Sequence, residues 1–581
     1  MAYDIILGRD ASDKKKFGEE GLIHIGKGYV TMGNYTSMSN NIFLDVARSH
    51  VILVAGKRGC LEGNTQVFTD KGYKRIKEFN PLLDKILSFN LENQTFEWEK
   101  AELIRYYIKD EKLIKIISEN NKELIITKEH PLLIATGKKQ LSLLWRTGEN
   151  LKVGDLLLET INSFKDINPI KIKEIKYIEN IEEVYDLTVP KNHSFIANGI
   201  ISKNSGKSYT LGVITEEIAN LPPETSRNIA PIIFDTMGIF WTMKFKNEKE
   251  KSILDEWKLE PKSSPIKVFA PIGKLEEYKD KGIPIDEAFA LKASELESED
   301  WIITFNVSMT SQEGVLITNT ISELKKEKDS FAIQDIIHQI NKTHNISQET
   351  KNIANSLFQA AESWGIFATT TEGIEITDLI NAGKTTIIDL SVYSSIGSFN
   401  VRGLVIGLVS RKIFTQRINA RKQEEIQSIQ HGIDYMSYNP TRETPLVWLF
   451  IDEAHEFLKK NEKTPATDAL VQILREGRQP GISLVLATQQ PGQIHNDVMT
   501  QSDIIISHRV TSKPDIEALN QIMQTYLLES IKSSMDKLPS SKGSAIILDD
   551  NSERIYPMRM RPRLTWHGGE SPSAVKDQSN L

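Results

Sequence analysis

A phosphate-binding loop interrupted by a long insertion is the feature that most constrains this chain. Residues 56–59 read GKRG, and residues 205–208 read SGKS. Joined, they spell GKRGSGKS, which satisfies the P-loop pattern G-x-x-x-x-G-K-[ST]. In the uninterrupted chain the pattern fails, because the position that needs its first glycine is Ile201. The sequence therefore predicts two activities: removal of the segment from Cys60 to Asn204, and nucleotide binding by the chain that remains.

The bulk composition is that of a globular protein with several domains. The chain has 581 residues, so we expect two to four domains. It has no run of about eighteen apolar residues that would predict a transmembrane helix, and its N-terminal stretch lacks the apolar region of a signal peptide. The single cysteine excludes an intramolecular disulfide. We therefore expect a cytoplasmic protein that makes no membrane contact.

Net charge is divided unevenly along the chain. The insertion, residues 60–204, carries 22 basic and 22 acidic residues, so the remainder (the host) carries the whole net charge of −7. A mildly acidic host has no general electrostatic coat for nucleic acid. If the host binds DNA, its basic groups must be concentrated locally, for example along a channel.

The ends of the insertion carry the residues that excision by acyl transfer requires. The Cys60 sulfur would attack the carbonyl of Gly59 and form a thioester, and the Ser205 oxygen would then take over the acyl group as an ester. Asn204 would cyclise through its side-chain amide and release the insertion, after which the ester rearranges to a peptide bond. These nucleophilic steps need a proton shuttle beside the scissile carbonyl.

Four sequence blocks of the insertion point to one family. They are CLEGNTQV at 60–67, TKEH at 127–130, LKVGD at 151–155 and the stretch 184–200. With them the insertion resembles an intein with the all-β horseshoe of the Hint family, and its length implies a mini-intein without a homing endonuclease. The resemblance implies auxiliary catalytic roles for Thr127, His130, Asp186 and His193.

One position departs from the intein pattern. Lys203 stands where the family usually has a histidine that assists asparagine cyclisation. This predicts slow or partner-dependent cleavage after Asn204, with His193 as the candidate substitute. The alternative interpretation is an ordinary β-rich insertion in a degenerate loop.

The flanks of the insertion have the strand–loop–helix context of a real P-loop. HVILVAG at 50–56 reads as a strand, and residues 209–220 read as a helix. Loop N–H groups would cradle the phosphates of ATP, Lys207 would contact the β- and γ-phosphates, and Ser208 would ligate Mg²⁺. The predicted nucleotide site consists of Gly56, Gly59, Ser205, Gly206, Lys207, Ser208 and Asp452.

A second nucleotide motif ends a continuous apolar run. LVWLFIDEAHEFL at 446–458 places Asp452 and Glu453 directly after that run. Asp452 would hold Mg²⁺ through water, and Glu453 would polarise the attacking water. A third strand, 481–491, ends in Thr488 and Gln489, which suits a sensor role beside the γ-phosphate.

Two arginines precede the sensor strand. Arg475 and Arg478 lie in LREGRQPG at 474–481. Either is a candidate arginine finger that reaches a neighbouring subunit's nucleotide, and the sequence does not choose between them. The alternative is a solvated helix end.

The remaining pattern sets the predicted fold class. Strands are expected at 230–238 and 385–393, and residues 401–427 read as one long helix. We predict an α/β RecA-like P-loop ATPase with a mostly parallel sheet and an α-helical insertion, and an all-β Hint horseshoe inserted in the P-loop. The predicted boundaries are 1–59 for the N-terminal segment and first half of the P-loop, 60–204 for the mini-intein, 205–274 for the continued ATPase core, 275–380 for the α-helical insertion, 381–569 for the core with Walker B, sensor and arginine finger, and 570–581 for a disordered tail.

The host resembles the HerA/FtsK superfamily, and HerA-like ATPases in particular. The resemblance covers 46–59 and 205–567 and includes the P-loop, IIFDTMG, TTIIDLSVY, IDEAHEF and the closing RMRPRLTWHGG. It implies ATP and Mg²⁺ as cofactors, a homohexamer after splicing, double-stranded DNA as partner, and a NurA-type nuclease beside it in DNA repair. A ring would repeat a few basic residues around the phosphates. Two departures are the stretch before residue 56, too short for a complete β-barrel, and Ile239, where many relatives are acidic.

Three alternatives for the host remain. DEAH at 452–455 also marks DEAH-box RNA helicases, but Lys207 and Asp452 are 245 residues apart and no second RecA-like half follows. A related motor for conjugation, secretion or phage defence would share the same core. A non-hydrolysing, ATP-gated scaffold is the third alternative, against which Glu453 argues.

We expect the 65.8 kDa chain to convert itself into a ligated host of 436 residues and an excised piece of 145 residues. The junction residues supply both nucleophiles and the cyclising asparagine. Intact mass spectrometry of freshly expressed protein measures the conversion. The control variant with Cys60→Ala and Asn204→Ala should keep the precursor mass, and a parent chain that also keeps it would contradict the prediction.

Overall fold

The computed structural model describes the following residues: 4–32, 35–56, 61–80, 83–90, 95–99, 101–107, 112–127, 130–136, 142–148, 151–161, 166–179, 183–188, 194–203, 207–368, 376–393, 399–439, 441–508, 519, 538–539 and 543–568. The chain divides into two compact units. The first comprises Met1–Ala55, Ser208–Ser507 and Ile546–His567, and the second comprises Gly56–Lys207, His508–Ala545 and Gly568–Leu581.

The first unit is built on one long sheet. Among the described residues its thirteen strands lie in the order Ile5–Leu7, Tyr35–Asp45, Leu22–Met32, Arg554–Met560, Ser544–Asp549, Ile504–His508, Val51–Ala55, Ile482–Thr488, Leu446–Ile451, Ile229–Asp235, Thr385–Asp389, Ile266–Pro271 and Glu287–Phe289. The pairings from Ile504–His508 to Glu287–Phe289 are all parallel. These central strands are continuous apolar runs because helices cover both faces of a parallel sheet.

Helices connect the parallel strands of the first unit. They are Ala11–Phe17, Lys207–Asn220, Pro223–Ser226, Lys251–Glu256, Leu275–Asp280, Ser298–Phe305, Gln312–Glu327, Ile333–Lys342, Gln348–Ser363, Ile376–Leu379, Phe399–His431, Tyr435–Tyr438, Thr467–Glu476 and Asn496–Gln501. The predicted helix at 401–427 lies within Phe399–His431. No helix in the described part of the chain combines the length and the apolar character needed to cross a bilayer.

The region predicted to be an α-helical insertion contains a helical core and one strand. Trp301 is fully buried, and its ring centroid lies 5.0 Å from that of Phe358 and 5.2 Å from that of Phe367, so aromatic contacts hold these helices together. Glu287–Phe289, inside the range predicted as helical, instead pairs in parallel with Ile266–Pro271 and ends the sheet.

The N-terminal strands join the sheet through the C-terminal part of the chain. Leu22–Met32 pairs antiparallel with both Tyr35–Asp45 and Arg554–Met560. A pairing between residues more than 500 positions apart has no local sequence signal, so the sequence did not predict it.

The second unit is all-β over 61–203. Within the described residues its strands run in the order Glu102–Tyr107, Glu183–Thr188, Leu61–Glu62, Glu123–Ile126, Leu113–Ser118, Asp166–Ile178, Leu156–Ile161, Pro131–Thr136, Ile200–Lys203, Ser194–Ala197, Gln66–Thr69, Ile86–Asn90 and Thr95–Glu99, with Ser142–Thr147 beside Pro131–Thr136 and Gly72–Arg75 beside Gln66–Thr69. The long strand Asp166–Ile178 pairs antiparallel with Leu113–Ser118 through one half and with Leu156–Ile161 through the other. It therefore joins the two halves of the sheet around an aliphatic core.

Candidate functional site

The second unit brings several of the predicted splicing residues close to the strand that follows Cys60. Leu61 pairs with Ile126 on one side and with Tyr185 on the other, both antiparallel. Thr127 directly follows Ile126, and Asp186 directly follows Tyr185. Two predicted catalytic residues on separate strands therefore each follow a residue that pairs with Leu61.

His130 is placed by a tight turn after Thr127. The His130 N–H donates to the Thr127 carbonyl at 3.1 Å, and both side chains are buried. The His130 ring packs edge-on against Phe195 at 6.2 Å. Phe195 lies in Ser194–Ala197, which pairs with Ile200–Lys203, the strand that leads to Asn204. His130 therefore lies next to the strands that precede the downstream junction.

Eight predicted splicing or P-loop residues lie outside the described residues or are described only in part. Cys60, His193, Asn204, Ser205, Gly59 and Gly206 lie outside the described residues, while Asp186 and Lys207 are described in their backbone only. The geometry of the acyl-transfer steps at these residues stays a prediction.

In the first unit, the carboxyl ends of the parallel strands place the nucleotide motifs on one edge. Gly56 is buried directly after Val51–Ala55, and Asp452 follows Leu446–Ile451. Ser208, in the first turn of Lys207–Asn220, donates from Oγ to Asp452 Oδ2 at 2.7 Å. The two predicted Mg²⁺-binding residues are thus in direct contact although 244 positions separate them.

The oxygen atoms of this contact fit a magnesium ion. Mg²⁺ prefers hard oxygen ligands and is usually held by one or two protein groups together with phosphates and water. Ser208 and Asp452 supply a hydroxyl and a carboxylate, and Asp452 is only 1% exposed. No group of three or more His, Cys, Asp or Glu side chains suited to a metal occurs in the described ranges. The donor set therefore suits a nucleotide-bound cation rather than an all-protein metal site.

One Glu453 oxygen accepts a hydrogen bond, and the other accepts none from the described residues. Its φ of 51° is left-handed, which is a strained conformation for a non-glycine residue and is often stored at functional sites. The Gln489 amide donates to Glu453 Oε1. Oε2 is buried with no hydrogen-bond donor in the described part of the chain and lies 3.6 Å from His455 Nδ1. This oxygen is a buried acceptor suited to a polarised water.

The sensor strand is linked to the same motif. Thr488 Oγ1 lies 3.4 Å from His455 Nδ1 and accepts from the Gln490 N–H at 3.0 Å. The structure therefore brings Glu453, Gln489 and Thr488 together at the ends of two neighbouring strands, and the sensor role stays a prediction.

The two candidate finger arginines contact the helix Asn496–Gln501. Arg475 pairs with Asp497 at 2.7 Å, and Arg478 donates to the Gln501 carbonyl at 2.7 Å. Their side chains are 59% and 49% exposed. Exposure suits both a finger that reaches another subunit and a solvated helix end, so both alternatives stay open.

Sequence reasoning missed a buried carboxyl pair on the same edge. Asp235 and Asp389 end neighbouring strands and are register partners, and both are fully buried. Burial, followed by the charge of Asp389, raises the pKa of Asp235 to about 8, and burial also raises the pKa of Asp389. Tyr278 donates to Asp389 Oδ1 at 3.0 Å. Each aspartate ends an apolar run in the sequence, as Asp452 does. This shared pattern could have identified both residues before the structure was known.

A second missed contact lies beside the Walker B turn. Arg402, near the start of Phe399–His431, pairs with Glu456 at 2.9 Å. Burial raises the pKa of Glu456; Arg402 opposes the shift, and the charges of Glu453 and Asp452 add to it. No pattern in the sequence marks Arg402, because the contact depends on how the long helix packs.

Comparison with known proteins matches both parts of the chain. Residues 66–204 match the intein splicing domain family, and residues 205–411 match the central domain of helicase HerA. The chain is HerA-like and carries an intein splicing domain. Residues 395–513 of this HerA-like chain also match the zonular occludens toxin (Zot) family.

Several curated relatives carry the name HerA. The probable DNA double-strand break repair helicase HerA of Methanocaldococcus jannaschii is 29% identical over 152 residues, which cover 23% of this chain and 30% of the relative. The DNA double-strand break repair helicase HerA of Sulfurisphaera tokodaii is 21% identical over 335 residues, covering 57% of this chain and 56% of the relative. The HerA-like chain thus spans little more than half the length of these relatives at most.

Solved inteins are also similar to part of the chain. An intein from a hyperthermophile is 18% identical and covers 25% of this chain and 99% of its own, with a TM-score of 0.23. A DnaB intein from Synechocystis sp. PCC 6803 is 23% identical and covers 26% and 99%, with a TM-score of 0.21. Because these TM-scores are low, the intein domain is assigned from the family match.

The carboxyl pair predicts how the stability of the spliced host depends on pH. Folding raises the pKa of Asp235 from its ordinary value to about 8, so the native state binds the extra proton. The free energy of unfolding should therefore fall as the pH rises towards 8 and level off above it. Asp389→Asn removes the neighbouring charge. The melting temperature of this variant should therefore fall less between pH 6 and 9 than that of the parent.

Asp255→Asn, at an exposed position, is the matched control and should keep the slope of the parent. Thermal unfolding of the parent, Asp389→Asn and Asp255→Asn between pH 6 and 9 measures how the melting temperature of each depends on pH. Equal slopes for the parent and Asp389→Asn would show that the Asp389 charge does not contribute to the raised pKa of Asp235.

Proposed function

We propose that this chain is a precursor that splices out residues 60–204 and leaves a HerA-like ATPase that moves along DNA. The observation that carries the ATPase part is the 2.7 Å contact between Ser208 and Asp452, supported by the buried free oxygen of Glu453. The intein part is supported by the family match that ends at residue 204. The insertion would interrupt the P-loop itself, between Gly59 and Ser205.

The splicing step is supported by the register around Leu61. In an antiparallel ladder, one step back from Leu61 corresponds to one step forward from each of its partners. If the ladder continues by one residue, Cys60 would lie opposite Thr127 and Asp186. His130, one turn beyond Thr127, would move the proton as the Cys60 sulfur attacks the Gly59 carbonyl.

At the downstream junction, Asn204 and Ser205 complete the reaction. The Ser205 hydroxyl would take the acyl group from Cys60, and Asn204 would cyclise and break its bond to Ser205. Lys203 replaces the usual histidine there, so we assign the assisting role to His193. Each step conserves atoms: the host gains a Gly59–Ser205 bond and the insertion leaves with a cyclic imide end.

After ligation, the loop would hold ATP with its own backbone. The N–H groups of Gly56, Gly59 and Gly206 and the start of the following helix favour negative charge. Lys207 would neutralise the β- and γ-phosphates. Magnesium, held at Ser208 and Asp452, would supply charge stabilisation to the leaving phosphates.

Glu453 would orient and polarise the attacking water in this scheme. Gln489 donates a hydrogen bond to Glu453 Oε1, which leaves Oε2 to accept a proton from the attacking water. Arg475 or Arg478, reaching in from a neighbouring subunit, would stabilise the negative charge that develops on the phosphates in the transition state. This requirement supports a homo-oligomer, and the superfamily resemblance favours a hexamer.

The DNA-related parts of the proposal rest on the relatives. We propose double-stranded DNA as the partner, a NurA-type nuclease beside it, and the cytoplasm as the location. Because the host is acidic overall, salt-sensitive DNA binding should come from a few basic residues repeated around the ring.

A second candidate is a related motor for conjugation, secretion or phage defence. The match of residues 395–513 to the Zot family supports it, because that region holds Walker B and the sensor strand. Both motors share the ATPase core, so DNA-stimulated ATPase activity of the spliced host is expected of either and separates both from a non-hydrolysing scaffold. A non-hydrolysing scaffold would bind ATP in the same assays without turnover.

We expect Glu453→Gln to lower the ATPase turnover of the spliced host by about 10²-fold or more while ATP binding persists. The amide keeps the shape but cannot accept the proton, and such a base contributes about 10²–10⁴-fold. Steady-state hydrolysis and equilibrium nucleotide binding measure the two effects. Glu349→Gln, on an exposed helix position, is the control; undiminished turnover in Glu453→Gln would remove Glu453 from the mechanism.

We expect His130→Ala to slow the disappearance of the precursor by at least about 10²-fold, because the proton shuttle at the first acyl shift is lost. A time course of intact masses after expression gives the rate. His338→Ala, an exposed histidine in the host, should splice as the parent does. Parent-like kinetics in His130→Ala would contradict the role given to this histidine.

A further inference from the structure

The helix that follows the P-loop is docked against the C-terminal segment 561–567, which we call the C-terminal clamp. Glu216, on the third turn of Lys207–Asn220, is 1% exposed and is the centre of the contact. Its Oε1 accepts from Arg563 Nε at 3.0 Å, the Thr565 N–H at 3.1 Å and the Thr565 hydroxyl. Its Oε2 accepts from the Leu564 N–H at 2.9 Å and from Arg561 at 3.2 Å.

The charges of this contact are balanced and buried. Arg561 and Arg563 are fully buried, and Arg561 also pairs with Glu217 at 2.9 Å. Two carboxylates therefore face two guanidinium groups. Removing one partner of a buried pair leaves an uncompensated charge and is strongly destabilising.

Gly212 allows the helix and the clamp to approach closely. A Cβ atom at Gly212 would lie 2.5 Å from Arg563 Cζ, so the guanidinium packs against bare helix backbone. Arg563 cannot simply swing aside, because it is held by Glu216, by Thr565 Oγ1 at 2.7 Å and by His567 Nδ1 at 3.0 Å. Gly212 is thus a close-approach glycine inside a helix, where glycine is otherwise unfavourable.

The clamp also reaches the first turn of the same helix. The Arg563 N–H donates to the Tyr209 hydroxyl at 2.8 Å, and the His567 ring packs edge-on against Tyr209 at 5.4 Å. Tyr209 directly follows Ser208. The clamp therefore contacts the residue beside the proposed magnesium ligand.

The clamp is itself fixed to the rest of the unit. The N–H groups of Asn247 and Lys262 both donate to the Leu564 carbonyl at 2.9 Å, and the Trp566 N–H donates to the Phe245 carbonyl at 2.8 Å. These backbone bonds tie the clamp to 245–262, so it can hold the helix against a fixed support.

We infer that the C-terminal clamp is a positioning element for the nucleotide site, and that Gly212, Glu216 and Arg563 set where Ser208 meets Asp452. This inference rests on the proposed ATPase function. None of the three residues would touch ATP. They act through the orientation of the helix that carries Lys207 and Ser208, and a misplacement of about 1 Å at a reacting group can cost 10²-fold.

The test uses the full spliced host and the variants Gly212→Ala and Arg563→Lys. The new methyl group displaces the guanidinium, and lysine keeps the charge but loses the planar fork. For both we expect the Mg²⁺ concentration for half-maximal ATPase activity to rise about tenfold, with a loss of kcat/KM for ATP. Combining Gly212→Ala with Arg563→Ala should give no further loss beyond Arg563→Ala alone, since the clash is then absent.

The matched control is Ile340→Val, a fully buried position in the helical region. It should lower the melting temperature and leave the Mg²⁺ dependence unchanged, which separates positioning from mere stability. If Gly212→Ala does not fold, Arg563→Lys alone decides. Parent-like Mg²⁺ dependence in the folded variants would overturn the inference, whereas a parent host that neither binds nor hydrolyses ATP would instead overturn the proposed function.

Discussion

Parallel register is the constraint on which the proposed nucleotide site depends. Ile482–Thr488 lies between Val51–Ala55 and Leu446–Ile451, with Leu484 opposite Val51 and Leu486 opposite Ile451. This register ends three strands at one edge and lets Ser208 meet a carboxylate far away in sequence. A slip of one residue would turn every side chain to the other face of its strand. The buried apolar strands that set this register therefore also determine which residues meet at the proposed nucleotide site.

Ser205 is the point where the two proposed reactions constrain each other. As the residue after the insertion it must carry a nucleophile that accepts an acyl group. As a member of the P-loop it occupies a variable position, where the pattern reads only the backbone. A hydroxyl residue would satisfy both demands, because the proposed splicing would use its side chain and the proposed loop would use its N–H. The junction can therefore lie inside the loop and leave a functional sequence behind.

Much of the architecture was predictable from local patterns, and the long-range contacts were not. The run ending at Asp452 and the helix after the P-loop are each encoded within a dozen residues, as is the β-rich character of the insertion. The pairing of Leu22–Met32 with Arg554–Met560 joins opposite ends of the chain and leaves no periodic trace. The same holds for Glu216 and the clamp, because no local pattern pairs Arg561 and Arg563 with a glutamate about 350 positions away. Only the packing shows that they are buried.

Two buried charge clusters in the first unit are neutralised in different ways, and the difference follows from what faces them. The Glu216 carboxylate faces guanidinium groups and several N–H donors. These groups compensate its negative charge, so the cluster acts as a fixed contact. Asp235 faces backbone N–H groups from Met237, Gly238 and Phe240 but also a second carboxyl. Three N–H donors favour the anion, yet burial and the neighbouring Asp389 outweigh them and the pKa rises. A proton therefore replaces the arginine as the neutralising partner, which makes this end of the sheet sensitive to pH.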